Sequence, residues 1–172
     1  NADGTTSSQV QVQWAQSTDN ATTQAQIVYE ICQTTTNGGC NTFTATFTST
    51  AGATSYYSNG LSPATTYYYR IRSRDLDGNT SGYTAQLSAT TLAAPTVNAP
   101  TFSPVAGLYN TTQNVTISTT TGSATICYTT DGNTPACDAT PSCTTGSAYS
   151  GTVAIAATGQ LRAIGCRNGY TS

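Results

Sequence analysis

The chain has 172 residues, of which only 7% are charged, and a formal net charge of −2. So neutral a surface makes no electrostatic case for nucleic acid or for an anionic membrane, and no apolar run reaches the roughly 20 residues a membrane helix needs. There is no His, which excludes Ser-His-Asp and Cys-His catalysis and His-ligated zinc.

Period-2 alternation starts at Val10 and recurs in short runs separated by Gly, Asn, Asp, Ser and Pro. "VQVQW" puts Val10, Val12 and Trp14 on one face. "IVYEI" groups Ile27, Tyr29 and Ile31, and "FTATF" groups Phe43, Ala45 and Phe47. In "YYYRIRS", Tyr67, Tyr69 and Ile71 share one face while Tyr68, Arg70 and Arg72 share the other. Leu87 and Ala89 close the series. "LAAPTVNAP" then breaks the pattern with two prolines and reads as a short, stiff linker. A second series follows in "NVTIST", "ATICYTT", "GTVAIAA" and "QLRAIGC". The expected fold is all-β: two tandem antiparallel β-sandwiches at 1–93 and 101–172, joined by a linker at 94–100.

The first half, about residues 9 to 91, resembles a fibronectin type III domain in "VQVQW", "IVYEI" and "GLSPATTYYYRIRSRDLDGNTSGY". The resemblance makes Trp14 the core tryptophan. It makes Tyr67, in "LSPATTY", a corner tyrosine whose hydroxyl bonds nearby backbone. The "DLDGNTSGY" turn resembles that of bacterial extracellular copies. The second half resembles the C-terminal, immunoglobulin-like domain type of chitobiase and β-hexosaminidase in "PTFSPVAGLYNTTQNVTIS", "ATICYTTDGNTPAC" and "YSGTVAIAATGQLRAIGCRNGYTS". That resemblance implies an appendage rather than a catalytic domain. Two outer strands are expected to be missing. "NADGTTSSQ" offers no apolar alternation before Val10, and the second sandwich should continue past "GYTS". Open edges invite completion by a neighbouring molecule, or they reflect truncation or a polar first strand.

Six cysteines without a C-x-x-C pair fit disulfides in an oxidising compartment rather than a metal site or a redox dithiol. Cys32 and Cys40 flank one loop and Cys137 and Cys143 another. Cys127 and Cys166 lie on strands expected to be neighbours. Spacing alone leaves the last two pairs open to exchange.

Asp75 and Asp77 in "DLDGN" are weak calcium candidates, since Gln86 stands where a calcium loop would place its final Glu; ordinary turn chemistry explains them. "TTDGNTP" reads as a turn in the same way. Asn20, Asn79, Asn110 and Asn114 head the four Asn-x-Ser/Thr sequons. Tyr68, Arg70 and Arg72 form a candidate interaction face, against the plainer reading that Glu30 and other cross-strand neighbours pair with them.

The functional expectation is a non-enzymatic, cofactor-free extracellular or cell-surface protein that self-associates into a fibre through its incomplete sheets. The alternatives are an accessory spacer or weak carbohydrate-binding module of a secreted polysaccharide-degrading enzyme, and a surface adhesin. For the carbohydrate reading, Tyr57, Tyr109, Tyr149 and Tyr170 are candidate stacking platforms. Glycans and further copies of the chain are thus the expected partners, with no nucleic acid and no membrane insertion.

Overall fold

A computed structural model describes residues 1–172. The chain is all-β, built from several antiparallel sheets, with one short 3-10 turn at Gln24–Gln26. No helix is long and apolar enough to cross a membrane. The chain divides into two compact units, Asn1–Ala93 and Ala94–Ser172.

The first unit contains β1 (Ala2–Gly4), β2 (Gln9–Gln13), β3 (Val28–Thr34), β4 (Phe47–Thr48), β5 (Ser55–Asn59), β6 (Thr66–Arg74) and β7 (Leu87–Thr90). One sheet runs β1-β2-β5 and the other β4-β3-β6-β7. The alternation read from sequence produces the core between them. Val10 and Val12 from β2 meet Tyr29 and Ile31 from β3, Tyr67, Tyr69 and Ile71 from β6, and Ala89 from β7. Trp14 lies just past β2 and is only partly buried. Its ring packs on Tyr29 at 5.1 Å and its Nε1 donates to the Ala53 carbonyl at 3.0 Å. It therefore seals the rim rather than filling the centre. The Tyr67 hydroxyl accepts from the Ser62 backbone N at 2.9 Å, which pins the turn before β6 as a corner tyrosine does.

Two expectations are corrected in this unit. A strand does precede Val10: β1 pairs with β2 in the register Ala2↔Val12, Asp3↔Gln11, Gly4↔Val10. A three-residue edge strand needs little hydrophobic signal, since only Ala2 packs on the core. Gly4 allows the close approach, because a Cβ there would collide with the Thr90 carbonyl. Residues 43–46 are not strand; only Phe47–Thr48 pairs with β3. Phe43 instead turns onto the outer face of β6.

The second unit contains β8 (Thr101–Ser103), β9 (Gln113–Ser118), β10 (Thr125–Thr129), β11 (Ala136–Cys137), β12 (Cys143–Thr145), β13 (Ser147–Ala148), β14 (Val153–Ile155) and β15 (Arg162–Cys166). Its sheets run β14-β9-β8 and β13-β10-β15, with β11-β12 as a separate hairpin. Residues 94–100, expected as a linker, pack with this unit. Val97 is buried, and Thr96 bridges to Thr171 in parallel. The Val97 N donates to the Thr171 carbonyl at 2.7 Å and the Thr171 N to the Pro95 carbonyl at 2.9 Å. The last residues of the chain thus return to pair with the segment that enters the unit.

All six cysteines are oxidised, as Cys32–Cys40, Cys127–Cys143 and Cys137–Cys166. Of the pairings that spacing left open, an exchanged one forms, in place of Cys127–Cys166 and Cys137–Cys143. β10 and β15 are neighbours, but Cys166 lies opposite Thr125 and Cys127 opposite Ile164. The two cysteines are therefore diagonal, and diagonal Cα atoms are about 7–8 Å apart, too far for a bridge. Cys137 and Cys143 do face each other across β11 and β12. Side chains of an opposed pair project to the same side, and here each reaches a cysteine of the main sheet. The hairpin is clamped to that sheet through both of its strands, at its turn end.

Candidate functional site

The outer face of β6 is the first place sequence reasoning points to. Alternation along Thr66–Arg74 buries Tyr67, Tyr69 and Ile71 and turns Tyr68, Arg70 and Arg72 outward, half-buried. Tyr68 stands between Thr34 on β3 and Ser88 on β7. The arginines are engaged within the unit. Glu30, opposite Arg72, accepts from Arg72 at 2.7 Å and also pairs with Arg74 at 3.0 Å. The Arg72 guanidinium lies 4.7 Å from the Phe43 ring centre and that of Arg70 lies 5.0 Å from Tyr83. Phe43 and Tyr83 are nearly parallel, 11° between planes and 5.6 Å between centres. The loop carrying Phe43 is held by the Cys32–Cys40 bridge and by Gln86, which accepts from the Gly38 N at 2.9 Å and donates to Asn37 Oδ1 at 2.7 Å. The Tyr83 hydroxyl donates to the Asn41 carbonyl at 3.2 Å.

This face is thus a stapled cation–π assembly in which Glu30 pairs with Arg72 and Arg74, while the Arg70 Nε is buried without a hydrogen-bond partner. Glu30 carries it, because one acceptor serves two guanidinium groups. Glu30→Ala is expected to cost about 2 kcal/mol, more than Arg74→Ala at under about 1 kcal/mol, in urea unfolding followed by tyrosine fluorescence.

The turn aspartates are explained locally. Asp75 accepts from the Asn79 N at 2.7 Å and from Asn79 Nδ2 at 2.8 Å, while Asp77 stays exposed. Nowhere does the fold gather three or more Cys, Asp or Glu side chains into a metal site. Asp131 closes the "TTDGNTP" turn in the same way, accepting from the Asn133 N at 3.0 Å, and these hydrogen bonds hold its carboxyl below the usual range. Asn20, Asn79, Asn110 and Asn114 are all exposed, though Asn79 is occupied by Asp75. Among the candidate platforms, Tyr57 is exposed, Tyr149 packs edge-on against Tyr128 at 6.4 Å, and Tyr170 lies beneath the Arg167 guanidinium at 4.4 Å.

Tyr109 sits differently. It lines a groove of about 330 Å³ in the second unit, between the 104–111 loop and the turn from β14 to β15. Phe102, Val115, Ile155 and Leu161 give the groove apolar walls, and Gln113, Gln160 and Arg162 add polar groups. Sequence reading missed it, because its residues come from segments some 50 positions apart. The one available signal was Tyr109 itself, within the non-alternating stretch "SPVAGLYNTT".

Comparison with known proteins adds three findings. The chain is 32% identical over 113 residues to "Exoglucanase B" of Cellulomonas fimi, an alignment covering 65% of this chain and 9% of that protein. The chain thus spans about a tenth of the length of that relative. The solved alpha-L-rhamnosidase of Dictyoglumus thermophilum is similar at a TM-score of 0.41 and 9% identity, covering 77% of this chain and 16% of the other. Residues 104–172, which hold all of the groove lining except Phe102, match the family of the Chitobiase/beta-hexosaminidase C-terminal domain.

Proposed function

We propose that this chain is a non-catalytic accessory segment of a secreted polysaccharide-degrading enzyme, made of two tandem immunoglobulin-like sandwiches. The observation that carries the reading is the similarity to a small part of an exoglucanase, from which this chain aligns over 113 residues. The family match of residues 104–172 supports the same conclusion for the second sandwich. For the first, the sheet orders β1-β2-β5 and β4-β3-β6-β7 and the corner bond of Tyr67 favour a fibronectin type III-like domain. Three disulfides and no free thiol fit an extracellular setting.

The fibre reading was motivated by missing outer strands, and β1 removes half of that motive by covering β2 with the chain's own residues. The candidate residues also supply no acid–base pair for glycoside hydrolysis. Asp75 is tied into its turn, and Glu30 is committed to two arginines. The purified chain is accordingly expected to release no reducing sugar from cellulose or chitin and to remain monomeric under the electron microscope. Hydrolysis by the chain alone, or ordered filaments, would overturn the proposal.

A further inference from the structure

We propose that the groove beside Tyr109 is a binding site for an oligosaccharide; this rests on the accessory-module reading and gives it a ligand site. A cleft of about 330 Å³ with mostly apolar walls and a few polar groups at its rim is within the range of small-molecule sites. The charge pattern narrows the ligand class. No Asp or Glu lines the groove, so nothing there recognises a cation or an amine. Its one charged residue, Arg162, donates to Thr134 Oγ1 at 3.2 Å and has no carboxylate partner, so its guanidinium stays free at the rim to meet hydroxyl or acidic oxygens of a ligand. Beside it stand an aromatic ring, aliphatic walls and the primary amides of Gln113 and Gln160, the Gln113 Nε2 already donating to Thr111. A ring and an aliphatic wall suit a ligand with a C–H face, and amides suit one whose rim both donates and accepts hydrogen bonds. A pyranose ring has both features.

The aromatic ring is held in place before any ligand arrives. The Tyr109 hydroxyl donates to the Val105 carbonyl at 2.8 Å, closing the loop on itself. A preformed ring lowers the ordering cost of binding. Tyr109 remains 36% exposed, and Val105 and Leu108 stand out beside it as an apolar lip. Such a site would grip one or two sugar units with a Kd on the order of 1 mM, which becomes useful when the module is tethered to a catalytic partner.

The test is titration of the isotope-labelled chain with cellohexaose and, separately, with chitohexaose, read by amide chemical shifts. Shifts are expected at Tyr109, Gln113, Gln160 and Leu161 with at least one of the two glycans. Tyr109→Ala is expected to weaken binding at least about tenfold, a loss of about 1.4 kcal/mol. Tyr109→Phe should retain most of the affinity, separating loss of the ring from damage to the loop, and Tyr83→Ala in the first unit should change nothing. The site is overturned if neither glycan moves these resonances, or if the shifts map to Phe43, Tyr83 or Tyr57. It is equally overturned if the groove resonances respond to protein concentration alone, which would make the lip a contact between copies. A module that fails this test still stands as a spacer, because its accessory role is decided by hydrolysis and assembly assays and not by the groove.

Discussion

Replacing both Cys137 and Cys166 with alanine is expected to unfold residues 94–172 at about 37 °C while residues 1–93 keep their structure. The two units differ in what holds them. The first buries a cluster that includes Tyr29, Tyr67, Tyr69, Ile27, Ile31 and Ile71. The buried apolar side chains of the second are Val97, Val115, Ile117 and Val153, together with Cys127 and Cys166, and no aromatic is among them. So small a core leans on its bridges. Cys137–Cys166 spans 29 positions, and closing a loop of that length in the unfolded chain is worth about 3.5 kcal/mol on the chain-entropy account. The bridge also fixes the β11–β12 hairpin to the end of β15, and its loss leaves Cys127–Cys143 as the one disulfide of the unit. Amide spectra of the double variant should show collapsed dispersion for the second unit alone. Retention of every native resonance, with an unchanged melting temperature, would show that the core suffices without this staple. Removing Cys32–Cys40, which spans only 8 positions, is expected to cost about 2.5 kcal/mol and leave the larger core of the first unit folded.

Raising the pH from 10 to 12 is expected to destabilise the first unit by about 2–3 kcal/mol, chiefly through Tyr69. This phenol is fully buried at the centre of the core, and burial pushes its pKa from 10.0 up to about 12. Ser58 beside it lowers the value in part, but the Ser58 hydroxyl donates to Gln33 Oε1, and the Tyr69 hydroxyl is left without a hydrogen-bond partner. Between the two pKa values the folded state holds a proton that the unfolded state has released. Stability is therefore full below pH 10 and falls as the pH rises toward 12. Tyr56, also raised by burial, adds to the effect with the same sign. Tyr69→Phe should flatten most of this dependence. At neutral pH it should be neutral or slightly stabilising, since it removes a buried hydroxyl that bonds to nothing. A Tyr69→Phe chain with the same alkaline slope as the parent would contradict this account of the core.

What could be read from the sequence was what periodicity encodes. β2, β3 and β6 alternate cleanly because each has one face on the core, and Tyr67, Tyr69 and Ile71 are buried as their spacing implies. β1 was illegible because an edge strand of Ala, Asp and Gly buries almost nothing. Phe43 was misplaced because "FTATF" has a strand's period but lies in a loop drawn over Arg72 by a disulfide. The bridges of the second unit depend on strand register and on where a two-stranded hairpin folds back, and neither leaves a mark in cysteine spacing. The groove is a property of the tertiary fold alone. Gln113 starts a strand, while Tyr109 and Gln160 lie in separate loops, and only folding makes them neighbours.

An accessory segment should matter most where substrate is hard to reach, because tethering raises the local concentration of substrate at the catalytic domain. On the proposed function, the direct measurement is the hydrolytic rate of a polysaccharide-degrading polypeptide that carries these 172 residues, with and without them, on an insoluble polysaccharide and on a soluble oligosaccharide of the same linkage. Deletion is expected to lower the rate on the insoluble substrate and leave the rate on the soluble one unchanged. Equal losses on both substrates, or a parent polypeptide with no hydrolytic activity, would contradict the assignment.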